Sequence, residues 1–378
     1  MSEHPLPTHA LGEVVGQVLE QVGPSPDFAV LFATGGYIGA VEDLASTIRR
    51  TLAPRCLIGC TAGAVLAGDR EVEDQAALVL FAGDWQGGMR VGGQGVRAVR
   101  FEARRHLDGW LLNGTDDVAV DGATLVLLAD PFSFPVDGFL AELNRRSPAL
   151  TIVGGLASAG AGPGGNRLIA DEQVVDSGAV GLFLPPGVPV SALVSQGCRP
   201  VGEAWVVTAG RDNLLEELGG RPALDRVLET ADAASPDDRN LMARGLQVGL
   251  VVDESKDDLG TGDFLVRSVL GADKTTRAVA VGADVAVGST VQFQVSDALS
   301  ADEDLRHGLS GCEGRGALVF LGNGRGAALF GMRHHDAMLI DDHIDGGATA
   351  GMFCAGEVGP VGGQAHVHNL TASMLLFD

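Results

Sequence analysis

Short apolar runs that end on glycine recur along this chain, and the stretches after them switch to helical spacing. Residues 28–32 form an apolar run ending in Thr34-Gly35-Gly36. Ile38, Val41, Leu44, Ala45 and Ile48 then fall on one helical face. Cys56-Leu57-Ile58 reads as a buried strand that breaks into the glycine loop Gly59-Cys60-Thr61-Ala62-Gly63, and 77–81 as a third strand ending at Gly83. The order strand, helix, strand, glycine loop, strand comes again: strand over 123–128, helix over 136–144, strand over 150–153 into Gly154-Gly155, strand over 179–184. It comes a third time: strand over 317–321, helical stretch over 333–344, strand at Met352-Phe353-Cys354 before Gly356-Glu357, strand over 373–377.

Laying 30–36 over 125–131 also brings 57–63 over 152–158, so the two copies keep nearly the same internal spacing. Three such units imply duplication, with a period too long and irregular for a solenoid. In α/β folds ligands sit at strand ends, so the glycine loops are the expected ligand cradles. Residues 1–26 predict one amphipathic helix carrying Leu11, Val14, Val15, Val18 and Leu19. Between the second and third units the pattern changes. Strands are predicted over 204–208, 248–252, 264–270, 278–281 and 290–295, with helices over 222–229 and 297–309 and a turn at Ser235-Pro236-Asp237-Asp238. Asp/Gly turns between these strands point to an antiparallel sheet. The fold class is therefore mixed α/β, repeated modules plus an antiparallel region, in a two-domain arrangement.

Composition narrows the function classes. The chain has 378 residues, 26 basic and 49 acidic, for a net charge of -23. Such a balance argues against binding nucleic acid or an anionic membrane surface. Only Lys256 and Lys274 are lysines. Five cysteines, Cys56, Cys60, Cys198, Cys312 and Cys354, show no paired metal spacing and read as reduced thiols in a cytoplasmic protein. No signal peptide and no apolar run long enough to span a bilayer is apparent.

The candidate chemistry lies in three places. Backbone N–H groups around Gly59-Cys60-Thr61 suit an anionic ligand group. Arg325, inside Gly322-Asn323-Gly324-Arg325-Gly326, suits a carboxylate. The C-terminal stretch brings Gly356, Glu357 and Gly359 into a glycine-rich loop, followed by His366, His368 and Asn369. The acidic and histidine-rich segment 334–345 reads as a helix with Met338, Leu339 and Ile344 inward and its charges in solvent, rather than as a metal site. Cys354 reads as a buried, inert thiol, and no local signature of a catalytic serine or cysteine occurs.

At these motifs the chain resembles the FIST family, named for F-box and intracellular signal transduction proteins. The resemblance rests on Gly351-Met352-Phe353-Cys354-Ala355-Gly356-Glu357-Val358-Gly359-Pro360 with His368-Asn369 and Thr371, on Ile58-Gly59-Cys60-Thr61-Ala62-Gly63, and on Gly197-Cys198-Arg199-Pro200-Val201-Gly202. Ala64 stands where the family has a glutamate. The resemblance implies an N-terminal extension over 1–26, an N-terminal FIST domain over 27–198 and a C-terminal one over 199–378. It implies a sensory protein that binds a small ligand such as an amino acid and signals to a protein output partner. Glu357 would take a cationic group, Cys198, Arg199 and Arg325 a carboxylate, and His368 and Asn369 would orient it. Some relatives bind haem, which would need one of His334, His335, His343, His366 or His368. The other readings left open are a non-catalytic interaction scaffold and a hydrolase or transferase using Glu357 and His368.

Overall fold

The computed structural model describes residues 1–85, 90–91, 94–106, 109–256, 259, 262–312, 314–344 and 346–378. The chain forms two compact units. One holds Met1–Val194, Leu309–Val367 and Ala372–Asp378; the other holds Ser195–Gly308 and His368–Thr371.

The first unit is built from the three repeats. In each, two strands pair in parallel and a third pairs antiparallel on the far side of the first. Copy one uses Phe28–Thr34, Leu57–Ala62 and Leu78–Gly83; copy two Thr124–Ala129, Thr151–Leu156 and Ala179–Leu184; copy three Gly316–Gly322, Ala348–Cys354 and Thr371–Phe377. The connecting helices bury the stripe read from the sequence: Val41, Leu44, Ala45 and Ile48 in Val41–Thr51, and Val136, Phe139, Leu140 and Leu143 in Val136–Arg146. The N-terminal helix Pro7–Gln21 buries Leu11, Val14, Val15 and Val18.

Each copy also extends a hairpin that joins a neighbouring copy's sheet. Val65–Ala67 of copy one pairs with Ala348–Cys354 of copy three. Leu168–Ala170 of copy two pairs with Leu57–Ala62 of copy one. Glu357–Val361 of copy three pairs with Thr151–Leu156 of copy two. The exchange is cyclic, so each copy completes the next and the three share one core, with Phe32, Leu128, Phe320, Cys60 and Met352 in a single cluster. Ser158 ties the copies together at their meeting point. Its hydroxyl accepts from the Gly63 N–H at 2.9 Å and donates to the Phe353 carbonyl at 2.5 Å.

Three of the expected glycine loops are strands, whereas residues 323–325 form a turn as expected. Leu57–Ala62 runs through Gly59-Cys60-Thr61, Thr151–Leu156 through Gly154-Gly155, and Glu357–Val361 through Gly359-Pro360. The glycines serve close packing. Added Cβ atoms at the equivalent Gly59, Gly154 and Gly351 would lie 2.4, 1.9 and 2.0 Å from the carbonyl oxygens of Leu31, Leu127 and Val319 on the adjoining strand. Gly154 also has a φ of +149°. Gly154→Ala is therefore expected to lower the unfolding free energy by about 2–3 kcal/mol, since neither the backbone angle nor the space suits a side chain. A urea titration checks this; a loss under about 1 kcal/mol would show that the sheet opens easily.

The second unit is a closed sheet. Its order is Cys198–Arg211, Thr290–Ser296, Leu246–Val251, Phe264–Ala272, Val279–Val281, Leu214–Leu218 and Arg221–Pro222, and the pairing of Cys198–Arg211 with Leu214–Leu218 closes the ring. One face packs Val248, Val291, Phe293 and Val295 with Ala223 and Met242 of two helices, Ala223–Ala233 and Pro236–Arg244. The sequence pattern predicts a turn at 235–238, but Ser235 instead caps the second helix. Its hydroxyl accepts from the Asp238 N–H at 3.1 Å, and Pro236 sits at the first helical position where its missing donor costs nothing.

Candidate functional site

Because side chains alternate across a strand, register decides which residues share a face. In the second unit Pro200 stands opposite Gln294, Gln294 opposite Gln247, and Gln247 opposite Ser268. These four form one row across four strands, on the face turned away from the Val291–Phe293–Val295 core. Asn369 donates its amide N–H to the Ser268 hydroxyl at 2.7 Å and lengthens the row. The same face holds the apolar patch Cys198, Phe264 and Val266, with Leu370 packed on it. Gln196 caps one end, donating to the Phe264 carbonyl at 2.7 Å.

The glutamines are buried: Gln294 is 1% and Gln247 7% exposed. Neither amide atom of Gln294 has a hydrogen-bond partner among the described residues, and the Gln247 carbonyl oxygen has none either. The space is kept by Gly249, where a Cβ would come 2.3 Å from the Gln294 amide nitrogen. A buried carboxamide without partners costs about 1–3 kcal/mol per group. Such a strip holds adjacent donors and acceptors and no ionisable group. Sequence reading missed both glutamines. In Val291-Gln292-Phe293-Gln294-Val295 the alternation predicts a solvated polar face.

The residues singled out in sequence fall in different places. Cys198 and Asn369 join this face, and His368, buried beside Asn369 in the chain, belongs to the same unit. Arg199 lies one residue from Cys198 and so points to the opposite face. There Asp297 holds it at 2.6 Å and Asp238 also pairs with it, and these hydrogen bonds raise the guanidinium pKa further. Glu357, Gly356, Gly359, Gly59, Cys60, Thr61 and Arg325 are in the first unit.

Arg325 is fully buried, and the carboxylate it binds is the chain's own. Its Nε lies 2.7 Å from Asp336 Oδ2 and a terminal nitrogen 3.0 Å from Oδ1. Burial alone would raise the Asp336 pKa, but Arg325 and the adjacent His335 bring it down to about 2. The helix there is His335–Asp341; Leu339 and Ile344 are buried as the sequence pattern predicts, but Asp336 is buried too and Met338 is 47% exposed. Neighbouring Glu71 accepts the His334 and Ala337 N–H groups, yet desolvation still raises its pKa. Asp345 lies outside the described residues.

Glu357 occupies a position that the other copies fill with apolar residues. It pairs with Gly155, as Leu168 pairs with Cys60 and Val65 with Met352. It is 1% exposed. Its neighbour Cys354 is wholly buried, and desolvation together with the Glu357 charge raises that thiol well above its ordinary pKa. Cys60, 3.1 Å from the Met352 sulfur, is likewise raised by burial. Thr61 donates its N–H to the Arg167 carbonyl at 2.9 Å and accepts the Arg167 N–H on its hydroxyl at 2.8 Å. Since the fold accepts Val and Leu at the equivalent positions, Glu357→Leu fits the space the repeat provides, and its cost in unfolding free energy should stay below about 3 kcal/mol. Urea denaturation checks this; a loss above about 3 kcal/mol would make the carboxylate a structural element.

Three of the histidines considered for haem have polar or aromatic partners. His334 Nδ1 accepts from the Glu71 N–H at 3.0 Å, the His335 ring stacks on Phe330 beside Asp336, and His343 Nδ1 lies 2.8 Å from the Leu339 carbonyl. His366 lines a cleft of about 400 Å³ with Asp137, Asn144, Arg145 and Gln364. Among the described residues no group of three or more His, Cys, Asp or Glu side chains is placed to hold a metal ion.

Sequence comparison bears on the same elements. The FIST N domain profile matches residues 27–221 and the FIST C domain profile 223–360. The chain belongs to the FIST family. FIST domains are associated with sensing in signal transduction. An uncharacterized protein of Mycobacterium tuberculosis (strain H37Rv) is 41% identical to this FIST protein over 366 residues, 95% of this chain and 93% of its own length. One of Mycobacterium bovis is 40% identical over 376 residues, 97% of this chain and 94% of its own length. No helix among the described residues of this FIST protein is long and apolar enough to cross a membrane.

Proposed function

We propose that this FIST protein is a cytoplasmic sensor of a small neutral polar ligand, seated on the Gln294–Gln247–Ser268 row of the second unit. The observation that carries the reading is Gln294, a fully buried amide whose donor and acceptor find no partner among the described residues. Buried amides find partners in native proteins, either a ligand or ordered water. Two neighbouring carboxamides complement a group with a donor beside an acceptor: a primary amide, a lactam or a nucleobase edge. The row has no counter-charge, so an ionised ligand group there would bear its full desolvation penalty. An amino acid would then be read by a neutral side chain rather than by its carboxylate. Arg199 and Arg325, already neutralised by aspartates, support that refinement. Five free cysteines support a reducing compartment.

Native mass spectrometry of freshly purified protein, compared with the denatured mass, tests this. The expected result is a small adduct that disappears in Gln294→Leu while circular dichroism shows the fold intact. An adduct that persists in Gln294→Leu, or one of haem mass, would overturn the assignment.

A further inference from the structure

The strand Gly109–Asn113 ends the seven-stranded sheet of the first unit, and among the described residues it pairs only with Arg97–His106. Its outer edge offers unpaired backbone donors and acceptors, which natural sheets ordinarily shield with charge, proline or a covering element. This edge instead displays Trp110 and Leu111, 48% and 56% exposed, one on each face. Arg105 stands opposite Trp110 and Arg104 opposite Leu111, and both arginines are exposed. Of the charged residues facing Gly109–Asn113, Glu102 pairs with Arg104 at 3.7 Å and with Arg100 beyond the strand's end at 3.1 Å, which leaves Arg105 as the freest cation there, in a chain of net charge -23. Beside the edge, Trp110 and Leu112 form a notch of about 350 Å³ with Pro135, Gly138, Thr115 and Glu142, room for one apolar side chain.

We propose that this edge docks an extended acidic segment of a partner protein, which adds a strand to the sheet. Backbone pairing along Gly109–Asn113 supplies affinity, and alternate side chains supply selectivity, as in other strand-addition modes. One face of the incoming strand places an apolar side chain in the Trp110 notch, and acidic side chains on it lie two strand spacings, about 10 Å, from the backbone of Arg104 and Arg105, a gap those long side chains reach across. A second copy of this chain is the wrong occupant, because it would bring Arg104 and Arg105 of each copy to the same edge with no added acid to offset them. The acidic surface elsewhere keeps most acidic proteins away, so a local cationic edge selects a segment rather than a whole acidic face.

A fluorescently labelled peptide alternating Glu and Val, titrated with the full chain and followed by anisotropy, tests the proposal. Binding should weaken about tenfold for the double variant Arg104→Glu/Arg105→Glu, whose exposed positions leave folding intact. It should also be lost when the peptide backbone is N-methylated at alternate residues along one edge, and a Lys–Val peptide should not bind. Equal affinity for the Glu–Val and Lys–Val peptides, no binding of either, or unchanged binding after charge reversal would overturn it. So would tighter binding of a single-stranded oligonucleotide, or dimerisation of the chain through this edge in light scattering.

Discussion

Arg325→Met is expected to lower the unfolding free energy by about 3–5 kcal/mol, because it leaves the Asp336 carboxylate buried and uncompensated. Asp336→Leu should do the same from the other side. The double variant Arg325→Met/Asp336→Leu should recover most of the loss, since a pair of apolar side chains needs no solvation. Acid resolves the same pair. Asp336 titrates near 2 in the folded protein, below the ordinary 3.8. A depressed carboxylate stabilises the fold above its unfolded pKa, and that stability is lost as pH falls from about 4 to about 2. The lost increment is about 2 kcal/mol. Urea midpoints of the wild type at pH 5 and pH 2.5, compared with those of the double variant, check it. A double variant with the same acid sensitivity as the wild type would assign the effect to other carboxylates.

Gln294→Leu is expected to separate stability from binding. In the ligand-free protein the change removes an amide with no partner among the described residues and should raise the unfolding free energy by about 1–3 kcal/mol. In the same variant, affinity for a neutral amide ligand should fall about 100-fold, the loss expected when buried polar recognition is deleted. Thermal denaturation with and without ligand reads both effects. A variant that is less stable than the wild type in the absence of ligand would show that Gln294 is already satisfied in the fold.

Much of the fold can be read from the chain because its punctuation repeats. The spacing that carries Ile58-Gly59 onto Val153-Gly154 survives in three dimensions: both glycines meet a carbonyl of the preceding strand, and Gly351 does the same in copy three. What escapes is the meaning of those glycines. A strand end and a flattened strand interior look alike in sequence, and only the neighbouring backbone distinguishes them. The exchanged hairpins escape too, since Val65–Ala67 and Leu168–Ala170 are three residues each, too short to show a period.

Site residues follow the same rule. Cys198 and Asn369 are adjacent to motifs and reach a common face through register, whereas Arg199 is sent to the other side by strand alternation. Arg325 and Asp336, eleven residues apart, look like solvated charges until tertiary packing closes over them. Gln247 and Gln294 come from distant strands whose alternation resembles an ordinary wet face. Their burial is a property of the assembled sheet, and no local pattern announces it.

The side-chain amide resonances of Gln247 and Gln294 in a ¹⁵N–¹H spectrum test the ligand site most directly. The titrants are glutamine, nicotinamide and uracil on one side, glutamate and aspartate on the other. If the row is the site, both amide pairs shift saturably with at least one neutral titrant and stay in place with the dicarboxylates. A titrant that binds while leaving both amides unmoved, or shifts that follow the dicarboxylates alone, would contradict it.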